Sequence, residues 1–76
     1  MLDERAPMFS GARLRDERQR AGLSRMELAA RLGRRWSTIE RYERDEAVPS
    51  ALALGGLAHV LGCTIDDLFE VPDAGH

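Results

Sequence analysis

The chain has 76 residues and a formal net charge of −2, with 43% hydrophobic and 32% charged side chains. That is one small domain of ordinary globular balance, burying only about 60% of its unfolded surface and so standing to gain from a partner. A single cysteine, Cys63, excludes an internal disulfide framework and a cysteine-based zinc site; Asp3, Glu4 and Arg5 stand where a secretory leader would turn apolar, so the cytoplasm is the expected compartment.

The small net charge conceals a split. Residues 13–44 hold ten arginines against five acids, a balance of +5, whereas residues 45–76 hold six acids and no arginine, a balance of −6. One half is suited to a polyanion and the other to a different kind of surface.

Punctuation divides the chain into five short helices. Ser10 caps the first, from about residue 11 to Ala21, and Gly22 ends it. Ser24-Arg25-Met26-Glu27 is a capping box that opens the second, with Leu28, Ala29 and Leu32 as its apolar stripe and Gly33 as its stop. A third spans roughly residues 36–44 with Ile39 and Tyr42 on one face. Pro49-Ser50 starts a fourth, where Leu54, Leu57, Ala58 and Leu61 recur at helical spacing before Gly62. Thr64-Ile65-Asp66-Asp67 caps a last short turn ending in Leu68-Phe69. No run alternates with period two, so no strand is expected. Residues 47–65 carry no formal charge, but Pro49, Gly55, Gly56 and Gly62 interrupt them and their apolar positions keep a 3.6 period, which excludes a membrane span. The expected class is all-α, a compact five-helix bundle: an arm over 1–9, a domain over 10–70 and a tail over 71–76.

The second and third helices meet at the tight turn Gly33-Arg34-Arg35, a helix-turn-helix candidate over 24–44. Such a pair makes linked demands. Ala29 is small where the third helix crosses, Gly33 permits the positive backbone angle that reverses the chain, and Ile39 plugs the crossing from the other side. With Ile39 and Tyr42 turned inward, residues 36, 37, 40, 41 and 44 share the opposite surface.

From Leu14 to Glu70 the chain resembles the phage-repressor (Cro/CI, XRE) class of helix-turn-helix DNA-binding domains, through LRDER, GLSRMELAARLG, STIERYE, VPSALAL and LGCTIDDLFE. The resemblance implies a five-helix bundle that sets its third helix into the DNA major groove. It implies that Arg41, Ser37, Trp36 and Glu40 face base edges, with Arg41 forking onto guanine. Arg25, where the family usually has a phosphate-binding glutamine, is expected on the DNA backbone together with Arg34, Arg35, Arg44 and Thr38. Arg18 and Glu43 match a structural ion pair between the first and third helices. His59 and Cys63 are read as structural residues.

Four features depart from the family pattern. Arg35 replaces the usual Ser or Thr cap, and Ser37-Thr38-Ile39-Glu40 offers a later start that would leave Trp36 in the turn. Asp45-Glu46 puts two carboxylates where Asn-Gly-Lys commonly grips phosphate. Glu17 and Gly55 occupy usually apolar positions.

The leading expectation is a sequence-specific transcriptional regulator, a repressor or small controller protein, binding double-stranded DNA as a homodimer. Its dimer face is expected among Leu52, Val60, Ile65, Leu68, Phe69 and Val71, more apolar residues than one small core needs. The alternative is a module of the same fold, antitoxin-like, that binds a partner protein through the acidic second half. Nothing converges toward catalysis, a metal site or a cofactor.

Overall fold

Serines open three of the helices. In the computed structural model, which describes residues 6–71, the hydroxyls of Ser10, Ser24 and Ser50 accept from the amides of Arg13, Glu27 and Ala53. Each satisfies an N–H that the first helical turn leaves without a partner. The helices so started are α1 (Gly11–Arg20), α2 (Arg25–Leu32) and α4 (Ala51–Leu61), and α3 (Trp36–Glu43) lies between the last two. Gly33 and Gly62 end α2 and α4 in the left-handed region, at φ 65° and 69°.

The expected fifth helix is a three-residue 3-10 turn, Asp66–Leu68, so the bundle has four α-helices among the described residues. Its start is capped as the sequence implies: the Thr64 amide donates to Asp67 Oδ2 (2.9 Å) and the Asp67 amide to Thr64 Oγ1 (3.1 Å). These bonds, the backbone one foremost, hold the Asp67 carboxyl below its ordinary range. The helix does not continue because Phe69 turns to an extended backbone.

That extension forms a strand, which corrects the expectation of none. Phe69–Glu70 (β2) pairs antiparallel with Met8–Phe9 (β1), Met8 opposite Glu70 and Phe9 opposite Phe69. Two residues per strand are too few for any alternation to register. The end of the expected arm is thereby tied down; residues 1–5 of that arm and 72–76 of the expected tail lie outside the described residues.

Leu14, Leu28, Ile39, Leu57 and Leu68 form the fully buried centre of the core, with Ala29, Tyr42 and Leu61 beside them. Leu68 was expected on a dimer face and is instead 0% exposed. The reversal after Thr64 carries it under α1, where its carbonyl accepts from the Ser10 amide at 2.9 Å. Four short helices leave the end of the bundle open, and this turn fills it. Phe9 closes the same end, its ring edge-on to Tyr42 and to Phe69.

Cys63 packs against this core, and burial, then the nearby Glu17 and Asp67 carboxylates, push its thiol pKa up. His59 points to solvent on α4 rather than into the core. Gly55 faces open space, whereas a Cβ at Gly56 would approach Leu32 to 3.1 Å.

Candidate nucleic-acid interface

The site begins with how α2 starts. Ser24 and Glu27 exchange hydrogen bonds, Glu27 N to Ser24 Oγ at 3.0 Å and Ser24 N to Glu27 Oε1 at 2.9 Å, completing the expected capping box. The bond from the Ser24 backbone is the main reason that the Glu27 carboxyl titrates below its usual range. This box fixes the helix whose first residue is Arg25. At the other end Gly33 reverses the chain, and the Arg34 amide reaches back to the Ala29 carbonyl at 2.9 Å.

The third helix then crosses the second as the small residue at 29 allows. Ala29 is 2% exposed, Ile39 0% and Tyr42 7%, and this apolar face sets which residues are left outside. Trp36, Ser37, Arg41 and Arg44 are exposed, and Thr38 and Glu40 are half-buried. Trp36 is the first residue of the helix, so the later start at Ser37 is not adopted. Arg35 stands at the cap position with no side-chain hydrogen bond, and the first turn of α3 has only backbone support, Thr38 N to Arg35 O at 3.0 Å. Arg34 and Arg35 are exposed beside it.

Arg41 is free of the carboxylates that were its nearest competitors in sequence. Among the described residues it pairs with none of Glu40, Glu43 and Asp45; its Nη2 approaches only the Glu46 carbonyl, at 3.4 Å. Its guanidinium therefore stands on the outward face of α3 beside Ser37 and Arg44.

The far end of α3 is held much more firmly. Glu43, with a side chain 2% exposed, receives Arg18 Nε on Oε2 at 2.6 Å and Arg18 Nη2 on Oε1 at 3.1 Å. Arg18 Nη1 goes to the Leu23 carbonyl at 2.9 Å, so α1, the turn after it and α3 are joined in one network. The ion pair implied by the family resemblance is thus present. The sequence reading missed a third member: Arg25 Nε also reaches Glu43 Oε1, at 3.0 Å, while its side chain stays 40% exposed.

Asp45 and Glu46 are both exposed after α3, and each carboxylate has a partner of its own. Asp45 adopts φ 58° and its Oδ1 accepts from the Gly11 amide at 2.8 Å, which turns that carboxylate onto the N-terminus of α1. Glu46 lies against Arg44, Nε to Oε2 at 3.3 Å, at the surface. Gly11 was also missed. A Cβ there would collide with the Tyr42 and Glu43 carbonyl oxygens, so only glycine lets α1 begin this close to the end of α3. The signal available in the sequence was Gly11 following the cap Ser10, a small residue where a helix former would otherwise stand.

Among the described residues no three His, Cys, Asp or Glu side chains gather as a metal site, and no helix is long and apolar enough to cross a membrane. Residues 11–71 match the family model described as a helix-turn-helix domain. The chain belongs to that family, in its phage-repressor type. No curated protein matches this helix-turn-helix chain. Solved structures do. The restriction-modification controller protein C.AhdI from Aeromonas hydrophila is 34% identical over 78% of this chain and 89% of its own, with a TM-score of 0.73. SinR, a master regulator for biofilm formation solved in complex with DNA, is 30% identical over 76% of this chain and 94% of its own, at 0.71. The hydroxypropylphosphonic acid epoxidase from S. wedmorenis is 33% identical over 86% of this chain, at 0.73. The helix-turn-helix chain spans 34% of the length of that epoxidase and 39% of that of apo-HppE.

Proposed function

We propose that this domain binds duplex DNA and regulates transcription, laying α3 in the major groove. The observation that carries the reading is the two-sided character of α3. Ile39 and Tyr42 are locked into the core while Trp36, Ser37, Arg41 and Arg44 stand outside, with Arg25, Arg34 and Arg35 around them. A helix so presented fits the major groove, and arginine forks onto guanine O6 and N7. Arg41 is the first base reader, with Ser37, Trp36 and Glu40 beside it. Arg25, Arg34, Arg35, Arg44 and Thr38 take phosphates. The likeness to C.AhdI, named as a controller protein, and to SinR, named as a regulator solved with DNA, supports the same reading.

One recognition helix makes few base contacts, so the working form is a homodimer on a pseudo-palindrome with half-sites about 34 Å apart. Its face lies among Leu52, Ile65 and Val71, which are 83%, 43% and 55% exposed, and the half-buried Val60 and Phe69. Leu68, fully buried, has no part in it. The setting is the cytoplasm, with no cofactor and no catalytic role.

Selection of bound duplexes from a random pool tests this directly. Recovered sequences are expected to share a two-fold repeat, with affinity falling steeply as salt rises. Equal affinity for scrambled duplex at moderate salt would overturn it. A second reading, a module that binds a partner protein, draws on the acidic second half of the chain, where residues 45–76 hold six acids and no arginine. Arg41→Ala separates the two readings: it abolishes duplex binding under the first, whereas under the second binding responds to Leu52→Ala and ignores Arg41.

A further inference from the structure

Arg25 is in an unfavourable place for a cation. It is the first residue of α2, where the aligned amides of the helix carry partial positive charge and favour an anion. Glu43 relieves that conflict, yet Glu43 does not need Arg25. Arg18 already meets both carboxylate oxygens, and its own third contact is the Leu23 carbonyl. Two guanidiniums on one carboxylate leave the cluster with a surplus positive charge, and the surplus sits on the more exposed member. Arg25 uses only Nε among the described residues, so both Nη groups remain as donors on a side chain that is 40% exposed.

Resting on the DNA-binding reading above, we infer that Glu43 is a positioning residue for a bridging guanidinium. It holds Arg25 by Nε at 3.0 Å so that the Nη groups meet a backbone phosphodiester, which ties the phosphate grip of α2 to the last residue of α3. The bridge needs arginine. A planar fork engages a carboxylate on one side and a phosphate on another at once, whereas a lysine ammonium on its single stem has to divide between them. The bridge also fixes register, because the carboxylate that orients Arg25 belongs to the helix that reads the bases.

The test is binding of a mixed-sequence duplex of about 30 base pairs across a range of salt, since a phosphate contact is independent of sequence. Arg25→Ala is expected to weaken binding about tenfold and to lower the salt slope by about 0.9, the share of one phosphate contact. Arg25→Lys is expected to fall within about threefold of Arg25→Ala despite keeping the charge. Glu43→Gln removes an anion from beside the DNA, which by simple electrostatics would tighten binding. The bridge instead requires it to weaken binding in the wild-type background, and by several-fold more than when Arg25 is already alanine, where only its part in the tilt of α3 is left to lose. A role confined to the tilt of α3 would give equal losses in both backgrounds and would overturn the inference, as would full activity of Arg25→Lys. Should Glu43→Gln fail to fold, the lysine comparison decides alone. Wild-type binding that ignores salt would sink the DNA reading itself and the bridge with it; a salt slope left unchanged by Arg25→Ala would sink only the bridge.

Discussion

The two ends of α3 are held in opposite ways. At its start Arg35 offers no side-chain cap and Trp36 is half-exposed, so the first turn rests on backbone bonds and on Ile39 beneath it. At its end the buried Glu43 gathers Arg18 and Arg25, Gly11 lets α1 press against the last carbonyls, and Asp45 returns a hydrogen bond to α1. In the proposed DNA-binding role α3 needs a fixed tilt and a presentable surface, and the two needs are met at different ends. The anchored end sets the angle, and the open end keeps its polar groups available.

The largest way to break this contrast is to remove the anchor. Glu43→Ala leaves the Arg18 guanidinium, 9% exposed, without its carboxylate, and is expected to destabilise the fold by roughly 3–5 kcal/mol in denaturant unfolding. A change under about 1 kcal/mol would mean that the pair behaves as an exposed one and that packing sets the tilt. Gly11→Ala attacks the same end through sterics alone. Its Cβ meets backbone oxygens rather than a flexible side chain, so α1 and α3 have to part, at an expected loss of about 1–3 kcal/mol with the ion pairs left in place. A neutral outcome would show that the helix ends separate freely and that the contact positions nothing.

These two residues also mark where the sequence was readable. Local rules found what local chemistry decides: the serine caps, the stops at Gly33 and Gly62, and the inward faces of α2 and α3 all appear as spacing within a few residues. The family pattern supplied the Arg18–Glu43 pair, which spans 25 positions and leaves no periodic trace. Contacts with neither a local rule nor a family precedent were lost. Gly11 with the end of α3, Asp45 with the start of α1, and Arg25 on Glu43 each join groups far apart in the chain. Leu68 shows the same boundary from the other side. Its hydrophobicity was plain, but whether it faced a partner or the core depended on a reversal at Thr64–Asp67 whose direction the sequence does not encode locally.

The open end gives the smallest and most discriminating effect. Arg35→Ser supplies the cap that α3 lacks, and a hydroxyl accepting from the amide of Ser37 or Thr38 is expected to add about 1 kcal/mol. For a domain this size that corresponds to a rise in melting temperature of about 4–8 °C. The same change removes an exposed cation next to Trp36, so duplex affinity is expected to drop while stability climbs, with a shallower salt slope. Arg35→Ala separates the two effects, because alanine is also a poor cap: it should weaken binding to a similar degree with no thermal gain. If Arg35→Ser raised stability and left affinity untouched, the missing cap would be a plain defect. If both move in opposite directions, position 35 has exchanged a helix cap for a cation, and the looseness at the start of α3 belongs to its function.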